Sequence, residues 1–502
     1  MRLKANLFFL LFLLPALGLF DTVYSQSLEA IKAAVQEFTL DNGMKFIVLE
    51  RHEAPVASFH VYANVGSVNE TYGITGISHL LEHMAFKGSK VVGTSNYGAE
   101  KELFPKMDDL YDKLNREKEK VRPDTALIAS YTKEFEDLLA QAKQYVVNGE
   151  YTDMMMREGD EGVNAYTSWD ATQYINSLPS NRLEFWMAMT SDRFLNPVFR
   201  EFYKEKDVVM EERRLGLETQ PIGKLIEDFL AVTFKAHPYH HHVIGHMSDL
   251  EKITHQDVIE YFSRYYSPSN LTAAIVGDVK IDELRDLARL YFGRIPSNPR
   301  PEQVRTVEPE QWGERQVIVK AKSQPILVVG YHRPAAGHED NSALEALANI
   351  IGQGRSSRLY EKLVKEKRIA IQVGTFNGFP GNKFPNLIAF LAVSSMGHTS
   401  AECLAAIDEE IAKIKEESVS AEDLQKYKRS TMKGLLDSMK ANDNMAAQLT
   451  FNDVVLGDWR LLFDDIKKVE AITAEDVKRV AGKYLVADYR TIGEVVPEES
   501  TN

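Results

Sequence analysis

Ser78-His79-Leu80-Leu81-Glu82-His83-Met84 sets two imidazoles and a carboxylate three and four residues apart, with apolar side chains filling the gaps. On a helix of ~3.6 residues per turn, His79 and His83 project from one face and Glu82 lies beside them. Neutral imidazoles are common zinc ligands, and a carboxylate next to the metal can take a proton from water. The order H-x-x-E-H reverses the zincin H-E-x-x-H and carries the same expectation, metal-assisted hydrolysis of a peptide bond.

The flanks fit a short helix. Gly73-Ile74-Thr75-Gly76 supplies a flexible turn before it, and Gly88 a stop after Met84-Ala85-Phe86-Lys87. Ile77, Leu80, Leu81, Met84 and Phe86 are available for a core. Ionisable residues in so apolar a helix need partners, because burying a polar group unpaired costs several kcal/mol, roughly 2–7. A metal is one such partner.

Outward from the motif, alternating apolar segments at 44–49 and 56–65 read as strands. From about 99 to 150 the text turns charged and helical. Leu103, Met107, Leu110 and Leu114, then Leu127, Tyr131, Phe135 and Leu138, imply two antiparallel helices joined around 122–125. Strands are expected at 162–168, 172–178 and 271–277, with helices at 181–192, 200–218, 223–235, 256–266 and 281–292. Pro296, Pro299, Pro301 and Pro309 mark a linker at 294–313.

Beyond the linker the texture repeats. Strands at 316–320 and 326–331 precede an alanine-rich helix at 342–351, a glycine break at Gly352 and Gly354 and a helix at 358–367. Strands near 370–376, 387–393 and 491 complete the half. The fold class is therefore α+β, two similar halves of which the first, 26–293, carries the metal motif and the helical hairpin, and the second, 314–502, lacks the motif. His237, His240, His241, His242 and His246 cluster in a stretch that Pro238 and Gly245 mark as a loop, where histidines are expected to be solvent-exposed.

The N-terminus has Arg2 and Lys4, an apolar run from about 5 to 20 broken by Pro15, and small residues before Gln26, the pattern of a secretory signal peptide over 1–25. A periplasmic or secreted location is expected, with no stable membrane span after cleavage. The single cysteine, Cys403, permits no intrachain disulfide. A net charge of −14 makes nucleic acid an unsuitable partner.

His79 through Gly88, Asn164-Ala165-Tyr166-Thr167-Ser168, Glu205 through Glu212, Ser267-Pro268-Ser269-Asn270 and Val276-Gly277-Asp278-Val279 occur in order over several hundred residues. On these motifs the mature chain resembles the insulinase, pitrilysin and mitochondrial processing peptidase superfamily of inverzincin metallopeptidases, in its two-domain bacterial form. The resemblance implies one zinc ion per chain held by His79, His83 and Glu212, with Glu82 as the base that activates zinc-bound water. Glu205 is implied as a supporting carboxylate, and Asn164 and Ala165 as an edge strand that pairs with peptide substrates or unfolded segments. Seven helical positions return Glu212 to nearly the face of Glu205, whereas Glu211 points ~100° away and is the ligand only if the register slips.

Two departures stand out. The hairpin places Glu212 farther beyond His83 than is usual in the family. Where family members carry an arginine and a tyrosine seven apart in the second half, this chain has Val364 and Ile371. Since those two groups reside on a separate subunit in two-chain members, a heterodimer with a homologous subunit carrying them is expected, a homodimer being the other arrangement. The competing class is a non-catalytic or assembly subunit of a peptidase complex.

Overall fold

The computed structural model describes residues 28–498; the signal-peptide expectation lies outside the described residues. In chain order the elements that build the site are β1 (Val35–Thr39), β2 (Lys45–Glu50), β3 (Val56–Ala63), α1 (Ile77–Met84), α2 (Phe104–Lys118), α3 (Thr125–Lys143), β4 (Asn164–Thr167), β5 (Thr172–Pro179), α4 (Phe202–Arg213), α5 (Pro221–Thr233) and β6 (Leu271–Gly277). They continue with β7 (Arg315–Ala321), β8 (Ile326–Arg333), α6 (Asn341–Gly352), β9 (Ala370–Phe379), β10 (Asn386–Ser394), α7 (Asn442–Phe451) and β11 (Arg490–Pro497).

Two sheets result, ordered β1-β2-β6-β3-β5-β4 and β7-β11-β8-β10-β9. Without β1 their topologies coincide. In each, the first strand lies parallel to the last (β2 with β6, β7 with β11) and every other pairing is antiparallel. The α+β class with two related halves and an inserted helical hairpin is thus the architecture observed.

Both sheets are buried on both faces, which is why their central strands read as near-continuous apolar runs. Phe46 and Val48 join the core beneath α1, while the alternate residues Ile47 and Leu49 face away from it. That second face is covered from the other half: Met445, Ala446 and Leu449 of α7 pack there with Trp459 and Leu462, and the Thr450 hydroxyl lies 2.8 Å from Nδ1 of buried His60 on β3.

The exchange is reciprocal. Helix α5 of the first half places Leu225, Phe229 and Leu230 against Val319, Val328 and Val495 of the second sheet. Gly330 and Gly493 make room for it, since a Cβ on either would come within 2.7 and 2.9 Å of the Phe229 ring. Each sheet therefore has one face closed by a helix from the other half.

The halves also meet at two turns. Asp170, in the β4–β5 turn, is buried and accepts hydrogen bonds from the Tyr239 hydroxyl (2.5 Å) and from the backbone N–H groups of Asn382 (2.6 Å) and Lys383 (3.0 Å) in the β9–β10 connection. No described helix is long and apolar enough to cross a membrane.

Candidate metal centre

Helix α1 divides its residues by spacing. Ile77, Leu80, Leu81 and Met84 recur at three and four and are buried, which turns His79, Glu82 and His83 to the other side. Gly76, in the left-handed region at φ 92°, starts the helix, and a Cβ there would meet the Ile244 carbonyl at 2.4 Å. The carboxylate of Glu70 accepts from the N–H groups of Gly76 (2.8 Å) and Ser78 (2.9 Å), an anion at a helix N-terminus.

Helix α4 brings the carboxylates. Its hairpin-facing side is anchored by Tyr203, whose hydroxyl donates to Asp108 at 2.6 Å, and by buried Lys206, whose ammonium donates to the Tyr111 hydroxyl at 2.6 Å and to the Glu251 and Ile253 carbonyls at 3.1 Å. The inserted hairpin α2–α3 therefore braces the helix that presents Glu205 and Glu212. At its far end Arg213 donates to the Gly245 carbonyl (2.6 Å) and to Glu227 (2.7 Å).

Glu212 Oε2 lies 3.8 Å from His79 Nε2 and 3.5 Å from His83 Nε2. These three side chains are the one group of metal-binding character among the described residues, with donor atoms all within 4.8 Å of one another. Ligand atoms on a tetrahedron with zinc bonds of ~2.0–2.2 Å stand ~3.3–3.6 Å apart, so the two contacts of the Glu212 oxygen are close to the spacing that an ion would set. Glu211 instead pairs with Arg214 at 3.1 Å on the exposed surface of the helix.

Each donor is set up by its surroundings. Burial drives His79 down to about 4, assisted by the charges of His83 and His242, which keeps it neutral with a lone pair free. Burial also opposes protonation of His83, but Glu205, Glu212 and Glu82 outweigh it and raise its pKa. Glu205 is buried, and burial alone would raise its pKa; His83 and Lys87 more than offset this and lower it. Its two oxygens stand 3.6 Å from His83 Nδ1 and 2.5 Å from Lys87 Nζ. A carboxylate behind the distal nitrogen of a ligating histidine fixes its tautomer and orientation.

Glu82 is raised by burial, partly countered by a hydrogen bond from the Thr167 hydroxyl to Oε2 at 2.6 Å. Thr167 ends β4, the edge strand of its sheet, and Asn164 and Ala165 begin the same strand. The backbone edge that the family resemblance assigns to substrate therefore runs up to the carboxylate that the resemblance assigns as the base.

Two family models match the chain, one described as Insulinase (Peptidase family M16) over residues 45–103 and one as Peptidase M16 inactive domain over 252–431. The first contains α1 with His79, Glu82 and His83. The chain belongs to the insulinase/pitrilysin superfamily.

Among similar insulinase-type proteins, one from Helicobacter pylori named Zinc protease PqqE is 28% identical over 465 residues, covering 89% of this chain and 90% of that protein. The Bacillus subtilis Uncharacterized zinc protease YmxG is 22% identical over 459 residues, covering 91% and 97%. A solved structure of a protease from Helicobacter pylori superposes with a TM-score of 0.78 at 24% identity, covering 92% of this chain and 99% of that one. The fold is shared, and the family is one of zinc peptidases.

Sequence reasoning missed three supports within this insulinase-type site. Thr167 was visible only as part of a motif, Lys87 only as part of a helix stop. The histidine loop reverses the expectation of exposure, since His237 and His241 are 1% and 2% exposed. The loop packs over the start of α1, and His241 Nε2 reaches within 3.3 Å of the Glu70 carboxylate that caps it. A polar loop has no periodicity from which such burial could be read.

Proposed function

We propose that this chain is a zinc metallopeptidase that hydrolyses peptides or unfolded polypeptide segments. The observation that carries the reading is the convergence of His79, His83 and Glu212 beside Glu82. Zinc held by that donor set supplies Lewis-acid chemistry toward oxygen. Glu82 takes the proton of the attacking water and returns it to the leaving amine, because a single buried carboxylate of raised pKa can serve both transfers. The Thr167 hydroxyl donates to its Oε2, which fixes the orientation of the carboxylate that carries the proton between the two transfers. Glu205 and Lys87 hold the His83 ring in place. The edge of β4 pairs with the substrate backbone, which favours extended chains over folded ones.

Val364 is packed against the second-half core and Ile371 is exposed on β9, and neither offers a hydrogen bond to substrate. We therefore also propose a heterodimer whose second chain supplies an arginine and a tyrosine, and export of the mature chain on the strength of its N-terminal sequence.

The test is zinc content and hydrolysis of a quenched peptide library, by the chain alone and with partner chains carrying the arginine and tyrosine. Glu82→Gln should bind zinc normally and lose ~100–10,000-fold in rate. Zinc binding with no hydrolysis under any condition would make the chain an assembly subunit instead.

A further inference from the structure

Four rings lead away from the metal cluster into the second half. His242 lies 5.6 Å from Trp169 in the β4–β5 turn, and Trp169 stands two residues beyond Thr167, whose hydroxyl donates to Glu82. Trp169 lies 6.1 Å from Phe379, and Phe379 6.2 Å from Phe376, the last two on β9. These three steps span at most ~18 Å, about five residues of extended chain at ~3.3 Å each.

The arrangement on β9 is built. Residues three apart on a regular strand face opposite ways. Here the register against β10 slips between Leu387 and Ile388, opposite Phe379 and Asn377, and Gly378 adopts φ 87°. That bulge re-aims Phe379 to the side of Phe376, as bulges beside binding sites do. Phe379 and Trp169 are half-buried over the core beneath the junction. Phe376 is 51% exposed on an edge strand, with its ring 6.2 Å from half-buried Phe379 and open to a partner.

We propose that the substrate groove continues from β4 across the Asp170 junction onto β9, where Phe376 and Phe379 form a subsite for an aromatic or large apolar side chain of the bound peptide. The occupant is peptide because the ring series is continuous with the edge that would hold it. The inference deepens the peptidase reading and rests on it for the location of the scissile bond. It names a substrate class: extended segments carrying a large apolar residue several positions to one side of the cleaved bond.

The experiment is fluorescence anisotropy with labelled peptides on zinc-loaded Glu82→Gln chain, moving one phenylalanine along an otherwise alanine- and serine-based sequence. One position should bind about tenfold tighter than the parent peptide, the scale of one well-buried apolar side chain. Phe376→Ala should erase that gain while leaving zinc content and parent-peptide affinity unchanged, and Phe376→Leu should keep part of it. A gain that survives Phe376→Ala, or no favoured position, overturns the subsite. So does a Phe376→Ala chain that loses only self-association in sedimentation. Hydrolysis by the unmodified chain is scored separately: cleavage without a positional gain removes the subsite alone, and a Phe376-dependent gain without cleavage removes the peptidase reading alone.

Discussion

The Thr167 hydroxyl donates to Glu82 Oε2 at 2.6 Å, joining the end of an edge strand to the middle of the motif helix. A hydrogen bond to a charged group contributes ~1.5–3 kcal/mol. Thr167→Val should therefore lower kcat by ~10–100-fold with zinc content intact, and Thr167→Ser should restore most of it. Steady-state kinetics beside metal analysis decide this; an unchanged kcat in the valine variant would remove Thr167 from the mechanism.

The carboxylates of α4 should separate by rank. Loss of a group that supports a metal ligand typically costs ~10–100-fold in affinity. Glu205→Gln should fall in that range, Glu212→Ala should exceed it, and Glu211→Ala, whose partner is Arg214, should have no effect. Competition with a chromophoric chelator measures all three. Equal affinities for the Glu212 variant and the unmodified chain would displace Glu212 as a ligand.

Acid should loosen the attachment of the C-terminal helices to the first sheet. Burial would raise the pKa of Glu37 on β1, but hydrogen bonds from Lys45, Arg460 and Trp459 bring it down from 4.5 to about 2. A carboxylate depressed in the folded state contributes stability that is complete above its unfolded pKa and disappears as pH falls toward the folded one. The loss should run from about pH 4.5 to about pH 2. Melting temperatures of Glu37→Gln should be lower near neutrality and should converge on the parent at the acid end of that window; parallel curves would contradict the assignment.

Cutting the linker should not separate the halves. Residues 296–300 are exposed, whereas α5 and α7 are each buried against the opposite sheet. A specific protease site inserted there should yield two fragments that co-elute in gel filtration and melt together. Fragments eluting apart would mean that the exchanged helices contribute less than their burial implies.

Much of this was readable in one dimension because it depends on local rules. The apolar spacing of Ile77, Leu80, Leu81 and Met84 sets the motif face, and runs such as Leu271–Gly277 announce strands buried on both sides. The hairpin followed from periodicity, and the pairing of Glu205 with Glu212 from helical geometry once the family motif was recognised. Strand β1 escaped notice because its residues 36, 37 and 39 are polar and face solvent or ion partners. The exchange of α5 and α7 was invisible for a different reason: an apolar helix face declares that it needs a cover, not which sheet provides it. Gly330 and Gly493 acquire meaning only once Phe229 is seen against them.

That exchange constrains how such a chain can evolve. The helix that carries the candidate metal residues has a counterpart in α6, which follows the second strand of its half's shared topology as α1 does and contains no histidine. The side chains there need not repeat those of α1, but the shape must be kept, since each half completes the other's interior. A repeated unit wired this way is free to diverge in its surface chemistry while remaining bound to its twin in how it folds, so selection on the half with the metal motif reaches the other half through every residue they bury together.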